Sequence, residues 1–274
     1  MDAHVHIKDA AGLAAVLAAG IGAVRDAGIR ENAEAGAGCC IVPAAGPAVV
    51  SAGWALYKQG GYGSSLGVAV GSRGEVSAEI VKLVNAGAGI IKVMASGMVS
   101  LREPGRITEG GFSEEELRFI VQEAGQLGRG VMAHANGIPA IMAAARAGVR
   151  SIEHGFFMTR EALEVMAFQG TYWTPTVGAL ARAAEGKTVS LEAKEYVAGL
   201  LRFHLEAIEQ ARDLGVLLAV GTDCVLPHRD YEAAYMSELA YFEQAGLPRD
   251  DVIRIASEGG ARLLGLEEGK SVGR

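Results

Sequence analysis

The six residues DAHVHI, Asp2 to Ile7, decide how this chain is read. In an extended strand, residues i and i+2 share a face, so His4 and His6 present their imidazoles together while Val5 faces the other way. Two neutral imidazoles on one wall suggest a metal, although a lone His-x-His pair needs partners elsewhere in the chain. The stretch is also the first of a series. Strand-like apolar runs recur at IGAVRD (21–26), CCIVPAAG (39–46), GIIKVMAS (89–96), GVMAHAN (130–136), RSIEHG (150–155), TYWTPT (171–176) and VLLAVGTD (216–223), alternating with helical patterns. Repeated βα units of this kind predict an α/β fold with a parallel sheet, most simply closed into a (β/α)8 TIM barrel of about 250 residues. A single barrel domain spanning 1–274 uses nearly the whole chain.

The intervening helices carry their own punctuation. Ser113 and Glu116 form an S-x-x-E capping box ahead of Leu117, Ile120, Val121 and Ala124, with Gly128 and Gly130 marking the exit. Asn136 and Pro139 start a second helix that Gly148 ends, and Thr159 starts a third that Gly170 ends. Ser190 opens the longest, which runs to Gly215 with Val197, Leu201, Ile208 and Ala211 on one face. The stretch from Gly46 to Gly74 is rich in Gly and Ser without clear periodicity, and it is predicted to be a long loop after the third strand.

Composition narrows the function classes. A chain that is 50% hydrophobic, with 38 glycines and 21% charged residues, is globular rather than disordered. Its formal charge of −7 offers no field for nucleic acid. No apolar run approaches the roughly 18 residues that cross a bilayer, and the first residues lack a signal-peptide pattern, so no membrane partner and a cytoplasmic location are expected. The three cysteines, Cys39, Cys40 and Cys224, are odd in number and suit neither a disulfide framework nor a structural zinc site, so they are read as reduced, mostly buried thiols.

In a barrel of this kind the chemistry sits at the C-terminal ends of the strands, where groups that are costly to bury become informative. Lys92 lies among Ile90, Ile91, Val93 and Met94, and a lysine is almost never buried without compensation. His134, His154 and Asp223 sit at the ends of three other strands. Four histidines, a lysine and an aspartate converging on one barrel mouth point to a site rather than to six separate structural roles. Arg25 and Asp26, ending the second strand, look paired with each other as a structural ion pair near the mouth. Cys224 follows Asp223 and is turned away by strand alternation. Tyr172, Trp173 and Thr174 are candidates for a pocket wall, although aromatic strand residues more often pack between barrel and helices. His204 falls on the apolar face of the long helix and is placed in the core or an interface, outside the site. His228, in LPHRD just after the eighth strand, is a candidate substrate contact.

The set DAHVH, VRDAG, IIKVMASG, AHANG, SIEHG and GTD, in this order over nearly the whole chain, resembles the amidohydrolase superfamily. The resemblance is to its branch of imidazolonepropionase-related hydrolases and prolidase-like dipeptidases. It implies that Lys92 carries a CO2-derived carbamate bridging two divalent metal ions. His4 and His6 would hold the more buried ion with Asp223, and His134 and His154 the more exposed one. Such ligands suit zinc, with manganese or cobalt as substitutes. Asp223 would act as general base as a metal-bridging hydroxide attacks the amide C–N bond of a dipeptide or N-acyl amino acid. Two alternatives stay open: a mononuclear deaminase or cyclic-amide hydrolase with Lys92 unmodified, and a catalytically inactive barrel that binds metal or ligand.

Two departures from the family stand out. The accessory β-sandwich is essentially missing, since only Met1, Asp2 and Ala3 precede His4 and the tail is GLEEGKSVGR. Either the barrel is stripped or the chain is a fragment, and a fragment would expose apolar surface. Where relatives commonly read GGHG, this chain reads GGYG around Tyr62, making Tyr62 a candidate substrate-binding group that polarises the carbonyl by a hydrogen bond. The partners expected are a small-molecule substrate and, by resemblance, further copies of the chain in a homo-oligomer.

Overall fold

A computed structural model describes residues 1–31, 46–186, 189–228 and 230–266. Its strands are β1 (Asp2–Ile7), β2 (Ala23–Asp26), β3 (Ala48–Ser51), β4 (Ala55–Lys58), β5 (Gly67–Val70), β6 (Ile90–Met94), β7 (Gly130–Ala135), β8 (Ser151–His154), β9 (Tyr172–Thr174), β10 (Leu217–Leu218) and β11 (Cys224–Leu226). They form two ladders, β11-β1-β2-β3 and β10-β9-β8-β7-β6-β4-β5, in which every pairing is parallel. Backbone hydrogen bonds bridge the ladders, from Ala3 N to Val220 O at 2.8 Å and from Gly89 N to Ser51 O at 2.9 Å. The ring they complete is a TIM barrel. Strands of a barrel are covered on both faces, and β1, β6 and β8 are buried along their whole length, polar residues included.

The helices are α1 (Ala10–Ala18), α2 (Arg73–Asn85), α3 (Glu114–Gln126), α4 (Ile138–Ala147), α5 (Arg160–Gln169), α6 (Val177–Ala183), α7 (Leu191–Asp213), α8 (Tyr231–Gln244), α9 (Arg249–Arg254) and α10 (Gly260–Leu264), the last two joined by a π-turn over Ile255–Gly259. The Ser113–Glu116 capping box opens α3, Pro139 stands in the first turn of α4, and Gly148 and Gly170 end α4 and α5 in left-handed conformation. Gly137, rather than Asn136, is the N-cap of α4. Ser190 caps α7, and Val197, Ile208 and Ala211 on that helix are buried. Between barrel and helices lies a core that includes Trp54, Ile80, Leu117, Ile141 and Trp173. No described helix is long and apolar enough to cross a membrane.

The third barrel wall corrects the sequence reading. The strand expected at 39–46 lies, Gly46 apart, outside the described residues, as do Cys39 and Cys40. The wall is instead β3 and β4, inside the stretch expected to be a loop, and β5 lies there too. Its strand signal is short because the chain kinks at Gly53 (φ 71°), so that β3 pairs with β2 and β4 pairs with β6. Gly28 (φ 79°) packs against that kink, where a Cβ would lie 2.5 Å from Gly53 O, so only glycine fits. The predicted strand 216–223 is likewise shorter, with β10 covering two residues before Asp223 leaves extended geometry.

Candidate metal centre

Six side chains singled out in the sequence line one cavity of about 310 Å³: His4 and His6 from β1, Lys92 from β6, His134 from β7, His154 from β8 and Asp223 beyond β10. Asp223 Oδ1 lies 3.3 Å from Nε2 of both His4 and His6, and the donor atoms of these three fall within 4.8 Å of one another, a spacing that one divalent cation bridges. The imidazole of His154 is 5.1 Å from that of His4 and 4.7 Å from that of His134, centroid to centroid.

Each histidine has one ring nitrogen tied to the protein. His6 Nδ1 donates to Gly28 O at 2.6 Å, His134 Nε2 donates to Gly97 O at 3.0 Å, and His4 Nδ1 donates to Glu153 Oε2 at 2.8 Å. His154 Nδ1 shares a 2.7 Å hydrogen bond with Thr176 Oγ1. A carbonyl or carboxylate partner can only accept, which fixes the tautomer and leaves the other nitrogen with a lone pair for a cation. Burial, reinforced by the Lys92 charge, lowers His4 to about 4 and His134 to about 3, and burial and His134 push His154 well below its ordinary value. For His6 the burial effect is outweighed by the bond and charge of Asp223, which raise it. The donor set of imidazoles and a carboxylate, the latter held well below its usual range by His4 and His6 against the effect of burial, fits a borderline divalent ion such as zinc.

The backbone is left-handed at His154 (φ 65°), Thr176 (φ 49°) and Asp223 (φ 55°), which costs of order 1 kcal/mol or more at each position. At His154 this breaks strand alternation. Glu153 and His154, neighbours in sequence, therefore both serve the site, the first from within the barrel and the second from the cavity wall.

Lys92 is 1% exposed and, among the described residues, has no hydrogen-bond or ion-pair partner. Burial lowers its ammonium to about 8. Tyr62 and Asn136 apart, the rest of the wall is apolar, with Leu66, Met94, Met98, Leu101, Phe156 and Leu180 among its residues. The loop carrying Met98 to Leu101 is held over the mouth by an antiparallel bridge between Val99 and Ile107 and by a bond from Gly105 N to Tyr196 Oη of 2.9 Å. Tyr62 also lines the cavity, its ring 5.4 Å from that of His134.

Three expectations are corrected or completed here. His228 stands outside the cavity. Val225 is the last residue of its segment on the wall, and beyond it His228 turns into a separate cleft with Arg182 and Asp230. Arg25 does not pair with Asp26. Arg25 reaches Glu153 at 2.8 Å, while Asp26 accepts from Ser51 Oγ at 2.6 Å and from the amides of Ile7 and Gly28. Adjacent strand residues face opposite ways, so the pair could not meet. His204 is buried on α7, as expected, and donates from Nε2 to Pro175 O at 3.1 Å. Glu153, Asn136 and Thr176 were not singled out as site residues in the sequence, yet all touch the histidines. For Glu153 a signal existed, a carboxylate in an otherwise buried strand, of the same kind that marked Lys92.

Comparison with known proteins places the sequence and the fold in a family. The model of the family described as the amidohydrolase family matches residues 1–272. Ochratoxinase of Aspergillus niger is 34% identical over 205 residues, 65% of this chain and 42% of that protein, so the match spans less than half of the relative's length. The crystal structure of the A. niger ochratoxinase superposes with a TM-score of 0.79 at 27% identity, covering 94% of this chain and 66% of that one. A Xaa-Pro dipeptidase with methionine bound in its active site gives 0.78 at 25% identity, over 98% and 75%. A prolidase complexed with N-methylphosphonate-L-proline gives 0.77 at 27%, over 97% and 74%.

Proposed function

The chain belongs to the amidohydrolase family, and from that premise we propose that it is a binuclear metal-dependent hydrolase cleaving an amide C–N bond, with a dipeptide or N-acyl amino acid as substrate. The observation that carries this reading is Lys92, buried in the cavity beside four imidazoles with no hydrogen-bond or ion-pair partner among the described residues. An amine lowered to about 8 is uncharged often enough to add CO2, forming N–C and releasing a proton, and the resulting carbamate anion supplies the ligand that a second ion needs. His4, His6 and Asp223 would hold one ion, His134 and His154 the other, with Lys92 shared. When bound, two divalent ions supply Lewis-acid polarisation of the carbonyl and acidify water.

The chain's own groups do the rest. Asp223 Oδ1, 3.3 Å from two imidazoles and open to the cavity, accepts a proton from the attacking water and delivers it to the leaving nitrogen. Tyr62 Oη hydrogen-bonds the substrate carbonyl. Leu101, Phe156 and Leu180 accept the apolar flank of the substrate and exclude water. Both the ochratoxinase likeness and the dipeptidase likeness support an amide substrate.

The test is metal content per chain for protein grown with zinc and bicarbonate and purified without chelator, beside Lys92→Ala. About two ions in the parent, falling in the variant, are expected. One ion in both proteins overturns the binuclear reading in favour of a mononuclear hydrolase, and none in the parent overturns the metal reading altogether.

A further inference from the structure

We propose that Glu153, anchored by Arg25, is a positioning residue that sets the tautomer and orientation of His4 before any metal arrives. The proposal rests on the reading of His4 as a metal ligand. Both carboxylate oxygens of Glu153 are engaged: Oε2 accepts from His4 Nδ1 at 2.8 Å, and Oε1 accepts from Arg25 Nη2 at 2.8 Å and from Ser151 Oγ at 2.5 Å. Arg25 is itself fixed on several sides. Its Nε donates to Ala3 O at 2.7 Å, the carbonyl just before His4, and its Nη1 donates to Ser151 Oγ at 2.8 Å. Arg25 and Glu153 are both fully buried, and neither lines the cavity, so neither can touch substrate.

Chemistry makes the chain directional. A guanidinium has donors only and keeps its charge, so the carboxylate beside it stays an acceptor. The hydrogen between Glu153 and His4 must then sit on Nδ1, and Nε2 is left as a lone pair aimed at the side where Asp223 stands 3.3 Å away. A charged acceptor on Nδ1 also makes Nε2 more basic. His4 alone of the four histidines has this arrangement. The others lean on Gly28 O, Gly97 O and the Thr176 hydroxyl, which are uncharged. Three strands, β1, β2 and β8, thus meet at one ring nitrogen, and the ligand that starts the site is tied into the barrel interior.

Two measurements test this. The first uses the parent protein without metal: long-range proton–nitrogen NMR of the histidine side chains at neutral pH, with His4 assigned through its backbone. The expected result is a single Nδ1–H tautomer with a strongly deshielded proton, and an Nε2–H or averaged ring overturns the proposal. The second is zinc affinity by chelator competition for the parent and Glu153→Gln. Affinity at one of the two sites is expected to weaken about 10- to 100-fold while the other is unchanged. Unchanged affinity in a folded Glu153→Gln protein overturns the proposal. If the Gln variant does not fold, the parent tautomer decides. A parent that binds no zinc sinks the functional reading instead, and the NMR result still judges the role of Glu153.

Discussion

Arg25 and Lys92 are two cations buried to nearly the same degree in the same barrel, 0% and 1% exposed, and they meet opposite treatment. Arg25 is well compensated: a carboxylate, two hydroxyls and a carbonyl take four of its five N–H donors. Lys92 has no hydrogen-bond or ion-pair partner among the described residues, and the carboxylates of Glu153 and Asp223 act on it through charge alone. The guanidinium holds its proton under any condition a protein meets, so the chain must compensate it, whereas an amine can surrender its proton and become a nucleophile. A buried charge that the chain neutralises is architecture, and one that it leaves bare is chemistry.

The largest effect that would sharpen the contrast is on turnover. Lys92→Ala is expected to lower kcat/KM for an N-acyl amino acid on the order of 10³-fold, the equivalent of several kcal/mol of transition-state stabilisation. A small carboxylate such as propionate, added to the variant, should restore part of the activity by supplying the missing anion. Full activity in the variant would break the contrast at once. Arg25→Met should act on the other axis. Removing one partner of a buried pair strands the Glu153 charge, and urea unfolding of the metal-free protein should show a loss of about 3–5 kcal/mol. Lys92→Met in the same assay should be neutral or stabilising, because the substitution strands nothing. Equal losses for the two would mean that Lys92 has a structural partner after all.

A smaller effect is expected at the cavity wall. Tyr62→Phe should lower kcat on the order of 10²-fold with the unfolding midpoint unchanged, as for the loss of one hydrogen-bond donor to a carbonyl. A change in KM alone would assign Tyr62 to packing against the substrate.

How much of this was legible in the sequence follows from the same physics. Strand-end residues were readable because polar groups in apolar strands advertise their cost: the six side chains proposed as metal ligands were singled out in sequence, and all six line the cavity. The third wall was not readable, because a strand broken at Gly53 into two four-residue halves carries too little alternation to be seen. Glu153 was hidden by the rule that usually helps. Strand alternation sets it opposite His154, and only the left-handed backbone at His154, a tertiary feature, brings both to the site. Arg25 was misassigned to its neighbour Asp26 because its real partner is 128 residues away.

The lesson extends to carboxylates, and there it gives the smallest effect. Glu153 has a guanidinium, which outweighs burial and holds it well below the ordinary range. Glu238 on α8, equally buried, has only backbone hydrogen-bond partners among the described residues: Oε1 accepts from Val177 N at 2.8 Å and Oε2 from Gly178 N at 2.7 Å, at the start of α6 just after Thr176. Two amide donors do not offset its burial, and Glu238 is raised to about 8. The signs are therefore opposite. The contribution of Glu153 is present above the ordinary carboxylate pKa and is lost only in acid. Glu238 is bound to its proton more tightly in the folded chain than in the unfolded one, so stability falls as pH rises from about 4.5 towards about 8. The slope that one such group contributes is at most about 1.4 kcal/mol per pH unit. Across pH 5 to 8 the urea midpoint of the metal-free parent should lose ground to that of Glu238→Gln as pH rises, because the buried histidines titrate alike in both proteins and the variant, which keeps one acceptor, removes only the Glu238 titration. Parallel slopes would show that the two amides at the start of α6 suffice to keep a buried carboxylate charged, and a bare backbone would then count as compensation where the contrast between Arg25 and Lys92 says it does not.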